Sequence, residues 1–156
     1  MIPLSVAFIR MLTALILGVA LGAERSVSHK NAGMRTYALV ALGSCLFVLV
    51  SISTIADVGL EYGVDPLRLA AGVVTGIGFL GAGLIFHNGE KLSGLTTAAG
   101  LWISCGIGIA TGFGHYELAV MATALSLITF TILWFVEKEV VIVIDKKKTN
   151  LFGPKE

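Results

Sequence analysis

Five long apolar runs, separated by short polar connections, dominate the sequence. They cover Leu4–Ala23, Tyr37–Ala56, Leu67–Phe86, Leu95–Thr111 and Tyr116–Val136. Each run is close to the ~20 residues that an α-helix needs to cross a hydrocarbon core of about 30 Å. Backbone polar groups find no water to bond inside a lipid bilayer, so runs of this kind must be helical. The pattern therefore predicts an all-α fold, a polytopic membrane bundle of five transmembrane helices.

The composition agrees with a membrane protein and argues against a soluble one. Hydrophobic residues make up 56% of the chain and charged residues 13%, whereas about 25% of the residues in an average soluble domain are charged. A soluble fold of 156 residues would need a polar face on most of its helices. The five runs are apolar on every face, so they favour the bilayer.

Positive charges concentrate in alternate connections. They lie in the first connection, in the third connection and in the tail, and are Arg25, Lys30, Arg35, Lys91, Lys138, Lys146, Lys147, Lys148 and Lys155. By the positive-inside rule these segments are cytoplasmic. We therefore expect the N-terminus outside and the C-terminus in the cytoplasm. The chain then divides into a transmembrane domain, residues 1–136, and a short cytoplasmic tail, residues 137–156.

Small residues recur within the spans at spacings that let helix backbones approach closely in lipid. The predicted packing positions are Gly18 and Gly22 in the first span, Gly72, Gly76, Gly78, Gly81 and Gly83 in the third, and Gly100, Ser104, Gly108 and Gly112 in the fourth. The stripe on the fourth span could pack within the bundle or between two copies, and we expect a homo-oligomer. The glycines of the third span could serve close packing or permit a broken helix that lines a cavity.

Arg10 is the one charged residue well inside an apolar run. It shares a helix face with Ala14 and Gly18, which should meet neighbouring helices. An intramembrane arginine is costly unless it has a partner or reaches water, so Arg10 marks a candidate functional site. Its expected partners are Asp57 and Asp65; the alternative is that it extends outward to the lipid headgroups.

The second connection carries three carboxylates, Asp57, Glu61 and Asp65. Asp65 followed by Pro66 has the pattern of a helix start, with the aspartate as N-cap and the proline at the first helical position. The three carboxylates could also bind a divalent cation through oxygen ligands. Their spacing fits no known calcium loop, which favours a solvated acidic connection.

Charged residues also flank the first connection. Glu24 and Arg25 close the first run, and Arg35 opens the second. The connection is short enough for Glu24 to pair with Arg35, although Arg25 and Lys30 could instead contact lipid headgroups. The sequence contains no metal-ligand spacing, nucleophile–base pair or phosphate loop, so we expect no enzyme, no cofactor, no metal site and no nucleic-acid partner.

Three motifs in sequence order resemble those of the MgtC/SapB family. They are Glu24-Arg25 followed by Ala32-Gly33-Met34-Arg35-Thr36, Asp65-Pro66-Leu67-Arg68 running into Gly76–Gly83, and Gly94–Ala99 with Leu101-Trp102. The resemblance covers about Arg10 to Val136. It implies a multi-pass protein of the bacterial inner membrane, linked to magnesium limitation, to virulence and survival inside macrophages, and to regulation of membrane partners such as the F-type ATP synthase. The candidate functional residues, charged or polar and near these motifs or the bundle, are Arg10, Glu24, Arg25, Arg35, Thr36, Asp65 and Arg68.

Two features depart from the family pattern. Gly72 stands where members commonly have a glutamine, and only a short tail follows Val136 where many members carry an ACT-like cytoplasmic domain. The run Val140–Ile144 could be the first strand of such a domain, but a lone strand cannot fold by itself. We therefore interpret the chain as a short form with the membrane domain only. The competing functions are a small transporter or channel for magnesium or other ions, and a purely structural assembly module.

Overall fold

The computed structural model describes residues 2–58, 65–88 and 91–140. Five helices in this part of the chain are long and apolar enough to cross a membrane, which confirms the predicted all-α bundle. The elements are α1 (Leu4–Val27), α2 (Met34–Val58), α3 (Pro66–Leu84), β1 (Phe86–Asn88), β2 (Lys91–Ser93), α4 (Leu95–Phe113) and α5 (Tyr116–Ile128), the last continued by a π-helical segment (Thr129–Leu133) and further helix to Val140. The orientation of the termini in the membrane stays a prediction.

The helices alternate in direction, so the bundle has two ends. At the end that we call the Arg10 end, α1, α3 and α5 begin; at the other, the Arg25 end, α2 and α4 begin. Helices α2 and α4 lie at the centre, because α4 packs against each of the other four helices and α2 packs against α1, α3 and α4. Helix α3 lies at the periphery and packs against α2 and α4.

Two boundaries differ from the apolar runs. Helix α1 continues past Ala23 to Val27 and thereby carries two charged residues into its last turns. The third run ends early, because Phe86 belongs to a short antiparallel hairpin, in which it pairs with Ser93. Gly94 closes the hairpin with a left-handed backbone, φ +89°, and lies against the end of α3 so closely that any side chain there would overlap the carbonyl of Leu84.

The C-terminal boundary also falls within a helix. The helix that starts with α5 extends beyond Val136 to Val140, so the first residues of the predicted tail are helical. The remainder of the proposed strand, residues 141–144, lies outside the described residues.

The glycine stripe of α4 packs inside the chain against α2. A Cβ atom at Gly108 would overlap the backbone carbonyl of Ala41, and one at Gly112 would lie 2.7 Å from the Cβ of Val48. Ser104 donates a hydrogen bond of 2.8 Å to the backbone carbonyl of Tyr37. Of the two alternatives for this stripe, the structure shows packing within one chain. The homo-oligomer stays a prediction, and it would need another surface.

The first span also uses its small residues internally. A Cβ atom at Gly18 would lie 2.8 Å from the Cα of Ala38 on α2, and Gly22 lies equally close to the start of that helix. Ala14, on the same face, is fully buried. This tight contact sets α1 against α2 along most of its length.

The glycines of α3 behave differently. Helix α3 is continuous from Pro66 to Leu84, so the broken-helix alternative is wrong. Inside lipid the backbone polar groups find no water, so the hydrogen bonds of an unbroken helix satisfy them. A methyl group would meet no atom within 4 Å at four positions, which are Gly72, Gly76, Gly78 and Gly83. One at Gly81 would only touch Ala98, at 3.8 Å. The predicted packing role of the four open glycines is not fulfilled within the described chain.

Candidate functional site

The last turns of α1 carry an arginine into the interior of the bundle. Arg25 is only 3% exposed, and its Nε donates a hydrogen bond within an ion pair to the carboxylate of the adjacent Glu24. The other carboxylate oxygen of Glu24 accepts a hydrogen bond of 2.8 Å from the hydroxyl of Ser28. A buried arginine is costly without a counter-charge, and here the neighbouring residue supplies it.

The guanidinium of Arg25 also stacks on an aromatic ring. Its central carbon lies 3.8 Å from the centroid of the Phe130 ring, which is a cation–π contact worth about 2 kcal/mol when it is shielded from water. Phe130 belongs to the π-helical segment of α5, and such segments are frequent at functional sites. It is buried, whereas both of its sequence neighbours are exposed. The last span is thus joined to the first through the arginine.

Tyr37 completes this cluster from α2. Its side chain is fully buried, and its hydroxyl donates a hydrogen bond of 3.1 Å to the backbone carbonyl of Thr97 on α4. Gly100, one turn further along α4, leaves room for both the Tyr37 hydroxyl and the Phe130 ring, since a Cβ atom there would overlap both. Four helices therefore meet around Arg25.

We call Glu24, Arg25, Tyr37 and Phe130 the Arg25 cluster. The sequence pointed to the first two members but missed Tyr37 and Phe130. Phe130 reads as one more apolar residue in a lipid-facing run, and Tyr37 as an ordinary aromatic residue at the start of one. Phe130 lies two helical turns after the buried Thr123 and so falls on the inward face of the last span, but in a run that is apolar on every face the sequence does not show which face that is.

The expected pair between Glu24 and Arg35 is wrong. Glu24 is paired with Arg25, and within the described residues this is the one ion pair. Because Arg25 points into the bundle, it needs the nearest carboxylate, whereas Arg35 and Thr36 are exposed on α2. The burial of Arg25 also contradicts the alternative in which it contacts lipid headgroups.

Arg10 lies at the opposite end and serves as a helix cap. Its Nη1 donates a hydrogen bond of 2.7 Å to the backbone carbonyl of Gly112, in the last turn of α4. The guanidinium also lies against Gly114, whose left-handed backbone, φ +88°, ends that helix. Carbonyl groups at a helix C-terminus carry partial negative charge and attract cations.

The expected partners of Arg10 are therefore wrong. Asp57 and Asp65 are both exposed, and neither forms an ion pair with Arg10 in the described part of the chain. The close packing of α4 against α2 sets the position of α4 along the bundle axis. At this position the C-terminal end of α4 lies beside Arg10. One further donor of Arg10, its Nε, is buried and has no partner among the described residues.

We expect Arg10→Met to lower the stability of the bundle by about 2 kcal/mol, because the substitution removes both a charge-assisted hydrogen bond and a favourable charge at a helix end. Thermal unfolding in mild detergent measures the effect. Arg68→Met is the matched control, since Arg68 is exposed on the first turn of α3. Equal stability of the two variants would contradict the capping role of Arg10.

Asp65 fills the structural role that its sequence context predicted. Its carboxylate accepts a hydrogen bond of 2.8 Å from the backbone N–H of Leu67, and Pro66 takes the first helical position, which confirms the N-cap. Glu61 lies outside the described residues, so the three-carboxylate cation site stays a hypothesis. Among the residues that the structure describes, no three histidine, cysteine or acidic side chains lie close enough to hold a metal ion.

Five membrane-length helices, with one arginine stacked on a ring of the last span and another capping the end of α4, define a multi-pass membrane protein. The MgtC family model matches residues 11–139, and the chain belongs to the MgtC family. This confirms the resemblance carried by the three sequence motifs.

Three curated relatives show the extent of the similarity. The chain is 44% identical over 126 residues to the "Putative magnesium transporter YhiD" of Escherichia coli K12, covering 80% of this chain and 59% of the relative. It is 45% identical over 119 residues to "Protein MgtC" of Salmonella typhimurium LT2, covering 76% and 48%, and 45% identical over 128 residues to an uncharacterized protein of Haemophilus influenzae, covering 80% and 54%. The chain thus spans about half the length of the curated relatives that it matches. No solved structure matches it.

Proposed function

We propose that this protein is a non-enzymatic regulator located in the bacterial inner membrane, where it acts on a membrane-protein partner when magnesium is scarce. Membership of the MgtC family and the magnesium-related name of one relative support the link to magnesium. The family resemblance extends the proposal to survival inside macrophages and to restraint of the F-type ATP synthase.

The observation that carries this proposal is the use of the two arginines of α1, Arg10 and Arg25. Arg25 pairs with Glu24 and stacks on Phe130, and Arg10 binds the backbone carbonyl of Gly112. Both arginines thereby hold helices together. A bundle that presents apolar helix faces to the bilayer is suited to contact another membrane protein, whereas a transporter needs polar groups free to coordinate its ion.

A magnesium transporter is the second candidate, and the name of the E. coli relative favours it. Buried hydroxyls lie on the inward faces of α4 and α5, but those of Thr111 and Thr123 donate hydrogen bonds to backbone carbonyls of their own helices. Magnesium is usually bound through carboxylates and retained water. Among the described residues, the carboxylate of Glu24 is already paired with Arg25 and is therefore not free to bind magnesium.

Flux measurements separate the two candidates. The purified protein is reconstituted into proteoliposomes that contain a magnesium-sensitive or a pH-sensitive dye, and an ionophore provides the positive control. We expect magnesium and proton movement equal to that of empty vesicles. Protein-dependent movement of either ion would overturn the regulator proposal in favour of transport.

A further inference from the structure

A groove of about 690 Å³ separates α2 from α3. Its walls are mainly aliphatic side chains and Phe47, with Arg35, Thr36 and Ser44 as the polar lining residues. Three glycines open it, Gly43, Gly72 and Gly76. A methyl group at any of these glycines would meet no atom within 4 Å. The volume falls in the range of about 300–1,000 Å³ that is typical of small-molecule sites. Both helices present this apolar surface where the membrane lies.

The length of the groove matches one leaflet of a bilayer. It runs along α2 from Arg35 to Phe47 and along α3 from Leu80 to Leu69, which at 1.5 Å per residue is about 17 Å. Half of a hydrocarbon core of about 30 Å is about 15 Å. Helix α2 continues past the groove to Val58. A transmembrane helix that docked here would need a groove as long as the whole hydrocarbon core is thick. A lipid acyl chain needs a groove only as long as one leaflet.

Positive charge marks one end of the groove. Arg35 lies there in the first turn of α2, is exposed, and forms no ion pair within the described residues. Thr36 lies beside it on the groove wall, and Lys30 is exposed in the connection that precedes α2. The N-terminal end of a helix adds partial positive charge. An anionic phosphate at the membrane surface complements this arrangement.

We propose that this groove binds one anionic phospholipid of the leaflet at the Arg25 end. Its phosphate contacts Arg35 and Thr36, and one acyl chain lies along Gly43, Gly72 and Gly76. Basic pockets between transmembrane helices bind anionic headgroups in this way. Two of the four open glycines of α3, Gly72 and Gly76, then have a role, because side chains at these positions would occupy the space of the acyl chain.

Lipid binding to the purified, delipidated protein tests the proposal. Native mass spectrometry in mild detergent compares phosphatidylglycerol with phosphatidylcholine that has the same acyl chains. We expect the wild type to bind phosphatidylglycerol about tenfold more tightly, because this lipid is a net anion beside Arg35, whereas the choline ammonium of phosphatidylcholine neutralises its phosphate. The headgroup alone, glycerophosphoglycerol, should not compete at equal concentration, because it lacks the chain that fills the groove.

Two variants separate the headgroup contact from the acyl-chain contact. Arg35→Gln should remove the preference for phosphatidylglycerol and leave weak binding of both lipids. Gly76→Leu should reduce the binding of both lipids about tenfold or more, because its side chain fills the groove. Both positions are exposed, so circular dichroism should show a folded bundle.

Matched controls make the outcome decisive. Arg68→Gln removes an exposed arginine outside the groove, and Gly106→Leu adds a side chain at an open glycine of α4. Both should bind lipid as the wild type does. Equal losses in Arg68→Gln and Arg35→Gln would overturn the proposal in favour of general surface charge. Unchanged binding in Gly76→Leu, or a dimer in light scattering that this variant dissociates, would place a helix in the groove instead of a lipid.

Discussion

Arg25→Ala is expected to destabilise the bundle by about 3–5 kcal/mol, the usual loss when one partner of a buried ion pair is removed. The carboxylate of Glu24 would lose the guanidinium that neutralises it, and the ring of Phe130 would lose the cation stacked on it. A cavity would also open where the end of α1 meets α5. Arg25→Lys should lie between the wild type and the alanine variant, because lysine retains the charge but not the planar group that stacks and pairs at once.

Unfolding in mild detergent, followed by circular dichroism, measures these differences. Arg35→Ala is the matched control at the same end of the bundle, and as an exposed residue it should change stability by less than about 0.5 kcal/mol. The double variant Glu24→Gln with Arg25→Met removes both charges and should recover much of the loss. If Arg25→Ala and Arg35→Ala were equally stable, Arg25 could not be the centre of the cluster described above.

Gly108→Ala should destabilise the bundle at the upper end of the roughly 1–3 kcal/mol that overpacking costs. Its new methyl group would overlap the backbone carbonyl of Ala41 and lie 2.8 Å from the Cβ of Ser44. Neither neighbour is a flexible chain end, so α4 and α2 must move apart. Gly106→Ala, two residues earlier on the same helix, meets no atom within 4 Å and should gain stability through helix propensity, by up to about 1 kcal/mol.

This pair of variants also bears on the predicted homo-oligomer. If the α4 stripe joined two copies, Gly108→Ala would dissociate them and leave the stability of the single chain unchanged. The packing of the stripe against α2 predicts the reverse, a less stable chain with an unchanged association state. Light scattering together with thermal unfolding distinguishes these outcomes. A homo-oligomer, if one forms, must use another surface.

The candidate site was only partly accessible to sequence reasoning. Arg10 and the pair Glu24-Arg25 stood out, because charge within or beside an apolar run is costly and therefore conspicuous. Their partners did not stand out. Arg10 binds the carbonyl of Gly112, and every residue of a chain carries such a carbonyl. Phe130 is one of many apolar residues in the last span, and only the packing of α5 against α1 and α4 brings its ring to Arg25.

The sequence by itself determined the features that depend on local chemistry and on the bilayer. Length and hydropathy predicted five membrane-spanning helices, and Asp65 with Pro66 predicted the start of α3. Only the tertiary structure decided which small residues meet a neighbour and which remain open. Gly72-xxx-Gly76 and Gly108-xxx-Gly112 have the same spacing, yet the first pair opens a groove and the second lies against α2. Spacing places residues on one helix face, whereas the packing of the whole bundle decides what that face meets.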